Sequence, residues 1–301
     1  MKIDVKGGVI NHAVVEEFNY STATKNDIEL LKDTIYRNKI AIIKNQALSP
    51  DQYIDMSRQF GVPEKYYQPM YHHPQIEEIF VSSNIPRDGE QVGVPRTGKF
   101  WHADYSFMNK PFSFTLIYPQ VVPKKNRGTY FIDMGKVYDC LPDETKARLK
   151  GAKCIHSVRK YFKVRPTDVY RPISEVLKEI ENETPQVIHP CVFEHPVTAE
   201  KILYLSDGFS QTIIDADGND LGEEFLNDLL RFSGQLDNNF KNEFIHTQGF
   251  QKGDLLVWDN RSLAHCAMHT SQPEPTESLR ITVHDDYDFY NGIIGENRVA
   301  V

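Results

Sequence analysis

The chain has 301 residues, of which 40% are hydrophobic and 25% are charged, and its formal net charge is −8 at pH 7. This composition is typical of a globular protein with a sizeable core, and the negative charge argues against a general role in binding nucleic acid. No basic block predicts binding to an anionic membrane surface, and no apolar run approaches the roughly 20 residues that cross a bilayer. The N-terminal residues lack the apolar segment of a secretory signal.

The cysteines are scattered along the chain and form no C-x-x-C pair. This pattern is typical of reduced thiols rather than of a disulfide framework or a zinc knuckle, so we expect a cytoplasmic protein. The residues concerned are Cys140, Cys154, Cys191 and Cys266.

Two helices are predicted early in the chain. Residues 25–37 place Ile28 and Ile35 on one apolar face. Ser49 followed by Pro50 is a typical helix start, so a second helix is predicted from there to Gly61. Further helices are predicted at 142–151 and 221–234.

Short segments rich in β-branched and aromatic residues predict strands. They are residues 39–44, 79–82, 112–118, 129–134, 152–158, 202–205, 254–258 and 280–284. Many short strands with helices outside them predict a mainly β fold with peripheral helices around a double-stranded β-helix (jelly-roll, cupin-like) core. Residues 159–196 are less strand-like and hold one predicted helix, so we interpret them as a lid-like insertion over the barrel mouth. Without a dividing linker, residues 1–301 are predicted to form a single domain.

A candidate metal site begins with His102 and Asp104, two residues apart, and continues with His265. In an extended strand such residues point to the same side, and residues 100–107 are aromatic and strand-like. We therefore expect His102 and Asp104 to lie on one strand and His265 on another. Two imidazoles and one carboxylate form the facial triad that binds non-haem Fe(II) and leaves other positions open for a co-substrate and O₂.

Arg280 lies fifteen residues after His265, in a predicted strand. Its guanidinium is suited to bind the distal carboxylate of 2-oxoglutarate as a bidentate pair, although a structural salt bridge is the alternative. Thr129 would add a hydroxyl to the same carboxylate.

At these residues the chain resembles the taurine/2,4-D dioxygenase family of Fe(II)- and 2-oxoglutarate-dependent oxygenases, from about residue 41 to 286. The resemblance implies that His102, Asp104 and His265 bind the metal and that Thr129 and Arg280 bind 2-oxoglutarate. Sulfonate-using members carry a second Arg four residues after the 2-oxoglutarate Arg. His284 stands there in this chain, which argues against taurine as the substrate.

Other clusters have alternative interpretations. His265 and His269 form an H-x-x-x-H, but no Glu follows the first His and the segment ends in prolines, so zinc hydrolysis is disfavoured. His72 and His73 could form a second metal site with nearby glutamates, but a solvated turn is the simpler interpretation. Cys266 is interpreted as a small buried hydrophobe.

The tyrosine-rich segment 65–71 carries a narrower resemblance. It is similar to the isonitrile-forming branch of the family, which converts a (3R)-3-[(carboxymethyl)amino] fatty acid to a (3R)-3-isocyano fatty acid. A substrate with two carboxylates needs cationic and phenolic donors in its pocket. The counterparts that the resemblance implies are Tyr66, Tyr67, Tyr71, Arg127, Lys163 and His269.

The implied cofactor is Fe(II), with 2-oxoglutarate as co-substrate and O₂ as oxidant, and the implied partner is a small-molecule carboxylate. Two rival functions remain open at this point. One is a hydroxylase of a free amino acid or small carboxylic acid that uses a single oxidative cycle, and the other is a non-catalytic metal-binding jelly roll. Neither composition nor pattern decides whether the chain forms a homo-oligomer.

Overall fold

The computed structural model describes residues 1–124, 128–162, 164–269 and 274–293. The predicted substrate contacts Arg127 and Lys163 lie outside the described residues. Among the described residues, no helix is long and apolar enough to span a bilayer.

The described strands are β1 (Lys2–Lys6), β2 (His12–Glu16), β3 (Ile40–Ile43), β4 (Val62–Glu64), β5 (Phe80–Ser83), β6 (Phe114–Val121), β7 (Gly128–Asp133), β8 (Lys153–His156), β9 (Val187–Pro190), β10 (Val192–Glu194), β11 (Lys201–Leu203), β12 (Ser210–Ile214), β13 (Ile245–Gly249), β14 (Leu255–Asp259), β15 (Leu263–Met268) and β16 (Glu277–His284). The α-helices are α1 (Lys25–Asn38), α2 (Pro50–Arg58), α3 (Met134–Cys140), α4 (Asp143–Leu149), α5 (Ile173–Glu183) and α6 (Glu223–Phe232).

The strands form one large sheet and three smaller ones. The large sheet has the order β1-β2-β3-β14-β6-β16-β4, and β5 also pairs with β16. The smaller sheets are β13-β7-β15, β12-β8-β9 and β10-β11. The large sheet packs face to face against the β13-β7-β15 sheet, as the predicted double-stranded β-helix core requires.

Residues of the large sheet alternate between two buried faces. Ile40 and Ile42 of β3 pack with Phe131 of β7 in the space between the sheets. Ala41 and Ile43 point the other way and pack in the cluster that holds the apolar faces of α1 and α2. This alternation with a period of two is the one expected of a strand.

The two early helices begin where the sequence predicted. Thr24 caps α1 and Ser49 caps α2, each in a capping box with the side chain three residues later. The strands β1 and β2 were not predicted. The residues of β1 are mostly polar and exposed, and β2 has only three apolar residues, Ala13, Val14 and Val15, which are a short signal.

The prediction of a strand over residues 100–107 was wrong. Only His102 joins a ladder, through a single antiparallel bridge to His265, and the chain then turns from Asp104 onward. Tyr105 has a positive φ of 62°, which no strand accommodates. The segment is therefore a loop, and the turn rather than a regular pleat brings the Asp104 carboxylate beside His102.

The segment 159–196 is more regular than the sequence predicted. It contains α5, as expected, and also the strands β9 and β10. Val176 and Ile180 of α5 pack against Tyr105, Phe107 and neighbouring aromatic side chains. This contact brings α5 next to the loop that carries Asp104.

Candidate metal centre and co-substrate cavity

Three buried side chains meet at the β15 edge of the β13-β7-β15 sheet. The candidate ligand atoms of His102, Asp104 and His265 all lie within 4.8 Å of one another. The His102 Nε2 is 3.7 Å from the Asp104 Oδ1, and the His265 Nε2 is 3.7 Å from the Asp104 Oδ2. Among the described residues, this is the group found with ligand atoms close enough to share a metal ion.

Backbone hydrogen bonds hold the two histidines opposite each other. The His102 N–H donates to the His265 carbonyl at 2.9 Å, and the His265 N–H donates to the His102 carbonyl at 2.8 Å. The His102 side chain donates from Nδ1 to the Phe100 carbonyl at 2.8 Å. This bond selects the tautomer with a lone pair on Nε2, as metal-binding histidines require.

Burial and charge set the protonation of these groups. Burial lowers the pKa of both His102 and His265, which favours neutral imidazoles. Burial would raise the pKa of Asp104, but attraction to the Arg280 charge and the hydrogen bond from Thr115 outweigh it, and this pKa is lowered to about 2. Two neutral imidazoles and an ionised carboxylate are the forms that bind a divalent cation.

A cavity of about 50 Å³ is lined by His102 and His265, and Thr129 and Arg280 are part of the same lining. The Arg280 Nη1 donates to the Asp104 Oδ1 at 2.9 Å. The Arg280 Nε is buried and has no hydrogen-bond partner among the described residues. The hydroxyl of Ser278, which also lines the cavity, is likewise buried and has no partner among those residues. A buried guanidinium with an unused donor fits the distal carboxylate of 2-oxoglutarate, because an unpaired buried donor is costly.

Comparison with known proteins identifies the family. The family model of the taurine catabolism dioxygenase TauD, TfdA family matches residues 7–282. The chain belongs to this family. Enzymes of the TauD, TfdA family use Fe(II), 2-oxoglutarate and O₂, so the predicted cofactors are confirmed at this level.

Several family relatives cover most of the chain. Pentalenolactone F synthase of Streptomyces arenae is 28% identical over 79% of this chain and 80% of its own. The alpha-ketoglutarate-dependent 2,4-dichlorophenoxyacetate dioxygenase of Cupriavidus pinatubonensis is 27% identical over 86% of this chain and 88% of its own.

Solved structures share the fold. A taurine dioxygenase from Burkholderia xenovorans has a TM-score of 0.74 and 20% identity, covering 99% of this chain and 94% of its own. AAD-2 in complex with Mn(II) and N-oxalylglycine has a TM-score of 0.73 and 22% identity, covering 96% of this chain and 100% of its own.

The predicted tyrosines lie next to the arginine of this TauD-type site. The Tyr66 ring centroid is 4.6 Å from that of Tyr67 and 4.9 Å from that of Tyr71. The Arg280 Cζ is 5.9 Å from the centroid of Tyr66 and also from that of Tyr105. Burial raises the pKa of Tyr66, Tyr67 and Tyr71, so these phenols stay protonated and can donate hydrogen bonds.

Three other residues that the sequence singled out, His269, Cys266 and His72, are each held by their surroundings. His269 is bonded through Nε2 to the Thr97 carbonyl at 2.9 Å, and Thr97 lines the cavity. Cys266 is buried beside the ligand His265, and burial raises the pKa of its thiol to about 12. His72 bonds through Nε2 to the carbonyl of Tyr66 at 2.6 Å, which favours a structural role for that histidine over a second metal site.

Sequence reasoning missed the role of Gly98. Its φ is +62°, and an added Cβ would lie 3.2 Å from the His102 Cε1. Any side chain there would press on the imidazole, so the glycine keeps this face of His102 clear. A glycine four residues before the histidine was the only signal in the sequence.

Proposed function

We propose that this dioxygenase converts a (3R)-3-[(carboxymethyl)amino] fatty acid to a (3R)-3-isocyano fatty acid, as a step in the biosynthesis of an isonitrile natural product. The observation that carries the proposal is the cluster of three phenols in which Tyr67 and Tyr71 pack on Tyr66, and Tyr66 in turn lies beside Arg280. Phenols at this place supply hydrogen-bond donors to an anionic substrate beside the co-substrate site.

In this proposal His102, Asp104 and His265 bind Fe(II), and Arg280 and Thr129 bind the distal carboxylate of 2-oxoglutarate. The bound metal and co-substrate supply an O₂-derived oxidant that removes hydrogen from the substrate. The protein orients the reacting carbon near the metal and excludes water from the cavity. The buried positions of Thr129 and of the three proposed ligands support this role.

The proposed reaction removes four electrons and four hydrogens from the N–CH₂–COOH unit in two oxidative cycles. Each cycle consumes one 2-oxoglutarate and one O₂, and loss of the substrate carboxylate as CO₂ leaves N≡C. The substrate carries two carboxylates, and an unpaired buried charge costs several kcal/mol. We propose that Arg127, Lys163 and His269 supply the cationic groups and that the tyrosine hydroxyls complete the donor set.

The apolar surroundings of the tyrosines support a substrate with a fatty acyl chain. Tyr66 and Tyr67 pack against a buried cluster that includes Phe107, Phe209 and Val176. Since α5 supplies part of this wall, we propose that the segment 159–196 covers the cavity mouth as a lid.

The residue at the sulfonate position supports a substrate other than taurine. His284 Nε2 is 3.1 Å from the Glu64 Oε2, and its ring stacks on Phe112 with a centroid distance of 4.5 Å. A histidine held by a glutamate does not replace a free arginine as a partner for a sulfonate.

A product analysis tests the proposal. The enzyme is supplied with N-carboxymethyl-3-amino acids of graded chain length under Fe(II), 2-oxoglutarate and O₂, and products are identified by mass spectrometry. We expect an isonitrile with two equivalents of succinate per product, and His102→Ala is the matched inactive control. A hydroxylated product with one equivalent of succinate would reject isonitrile formation.

A hydroxylase that uses a single cycle on a free amino acid or small carboxylic acid is the second candidate. It is favoured by the relative that is named as a 2,4-dichlorophenoxyacetate dioxygenase, because that name describes a small carboxylate as the compound acted on. The same assay separates the two candidates through the succinate:product ratio.

A further inference from the structure

A chain of hydrogen bonds runs through the large sheet and ends on Asp104. The Trp258 Nε1–H donates to the Asn260 Oδ1 at 2.9 Å, and the Asn260 Nδ2 donates to the Thr115 Oγ1 at 2.8 Å. The Thr115 hydroxyl donates to the Asp104 Oδ2 at 2.7 Å. All four side chains are at most 3% exposed, so water does not compete for these bonds.

The direction of every bond follows from the first one. An indole N–H only donates, so the Asn260 atom that faces Trp258 is the amide oxygen. The amide nitrogen then faces Thr115 and donates to its oxygen. The single hydroxyl proton of Thr115 is therefore left for Asp104, and the chain ends in a hydrogen bond to an ionised acceptor, which is the strong kind.

The sheet brings these residues together from distant parts of the sequence. Thr115 on β6 is paired in register with Trp258 on β14. The Asn260 N–H donates to the Ser113 carbonyl at 2.9 Å, which holds the turn after β14 against β6. Trp258 also contacts the other end of the site, because its ring centroid is 4.8 Å from that of His265.

We infer that Thr115 and Asn260 are positioning residues for the metal, acting through Asp104; the inference rests on the proposed binding of Fe(II) by His102, Asp104 and His265. The Thr115 hydroxyl on Oδ2 and the Arg280 Nη1 on Oδ1 hold the carboxylate at both oxygens and prevent its rotation. Each oxygen keeps a second lone pair, so the held carboxylate still has an oxygen to offer to the metal.

The inference predicts a graded series of metal affinities. Thr115→Val keeps the branched shape and removes the hydroxyl, so Fe(II) affinity should fall roughly 10–100-fold, as for other residues that orient metal ligands. Asn260→Ala frees the hydroxyl to rotate away from Asp104 and should give a smaller loss. Thr115→Ser keeps the donor and should restore most of the affinity.

The experiment is an anaerobic titration of each metal-free variant with Fe(II), followed by the charge-transfer absorption that appears when 2-oxoglutarate is added. Thr282→Val is the matched control, because Thr282 is the buried cross-strand neighbour of Thr115 on β16 and lies outside the chain of bonds. Thermal unfolding of the metal-free variants reports whether each one is folded. The absorption band should shift in Thr115→Val and Asn260→Ala and should be unchanged in Thr282→Val.

The outcomes separate this inference from the proposed function. If the wild type binds no Fe(II), the metal centre itself is wrong. If the wild type binds and both Thr115→Val and Asn260→Ala bind within about twofold of it, instead of the 10–100-fold expected of orienting residues, the positioning role is wrong. Should Thr115→Val fail to fold, Asn260→Ala and the rescue by Thr115→Ser decide the question.

Discussion

The ligand side of the site and the tyrosine cluster are held by different kinds of contact. On the ligand side, His102 and His265 are joined by a pair of backbone hydrogen bonds, and Asp104 is held by Thr115. The tyrosine cluster, in which Tyr66 lies beside Arg280, is held by contacts between rings. Backbone pairing tolerates changes of side chain, whereas ring packing changes with every substitution. We therefore expect the oxidising chemistry to be shared widely in the family and the substrate to differ among relatives below 30% identity.

The largest effect is expected from removing one of the three proposed metal ligands. His102→Ala, Asp104→Ala and His265→Ala should each abolish Fe(II)-dependent succinate formation, because two remaining ligands do not position the metal. The fold should survive, since the strands that surround the site are paired without these side chains. Succinate assays and circular dichroism check the two statements, and full activity in any one variant would refute the triad.

The second largest effect is expected on the binding of 2-oxoglutarate. Arg280→Ala should raise the KM for 2-oxoglutarate roughly tenfold to a few hundredfold, since losing a charge-assisted pair typically costs about 1.5–3 kcal/mol or more. Steady-state kinetics with varied 2-oxoglutarate measure it, and Arg231→Ala on the exposed surface of α6 is the control. An unchanged KM would place the carboxylate at another residue.

Substitutions at the proposed substrate contacts should weaken substrate binding to two different degrees. Arg127→Ala and Lys163→Ala should weaken binding of the N-carboxymethyl amino acid while 2-oxoglutarate still binds. Replacing Tyr66, Tyr67 or Tyr71 with Phe should have a milder effect, about 0.5–1.5 kcal/mol, because each change removes one neutral donor and keeps the ring.

Calorimetric titration of both compounds against each variant makes this comparison, and His269→Ala completes the set. Binding equal to wild type in every variant would remove the proposed pocket and leave the hydroxylase as the better account.

A smaller effect is expected from His189, which braces the loop that carries Asp104. The His189 Nε2–H donates to the Met108 carbonyl at 2.9 Å, and its Nδ1 accepts from the Tyr290 hydroxyl at 2.9 Å. Burial, helped by repulsion from His156, lowers the pKa of His189 from 6.5 to about 3. The unfolded chain therefore binds a proton first on acidification, and stability present above about pH 6.5 is lost as the pH falls toward 3.

The matched variant is His189→Gln, because glutamine can keep both hydrogen bonds and does not titrate. The free energy of unfolding of the wild type should fall more steeply with acid than that of the variant, by up to about 1.4 kcal/mol per pH unit. Denaturant unfolding at a series of pH values measures the difference. Equal slopes would show that folding does not lower the pKa of His189.

Many helices and strands were predictable because the sequence patterns that mark them are local. The capping boxes of α1 and α2 each join residues only three positions apart, and the strands β3 and β14 carry continuous apolar runs. The strand β1 was missed because its residues are mostly exposed, and β2 because its apolar run is only three residues long.

The candidate ligands were predictable from residue type and spacing, but their surroundings were not. The turn at Tyr105 depends on tertiary packing, and the bond from Arg280 to Asp104 joins residues 176 positions apart. The link from Asn260 to Thr115 spans 145 positions, and nothing in either local sequence predicts the pairing of β6 with β14 that creates it.

The bridge between His102 and His265 also has a consequence for folding. It joins segments separated by more than half of the chain, so closing this loop costs considerable entropy and is expected late in folding. A partly folded chain that lacks the bridge keeps His102 and Asp104 on one segment but has no third ligand. Recovery of Fe(II) binding during refolding should therefore lag behind the recovery of secondary structure and mark the moment at which the two halves of the barrel meet.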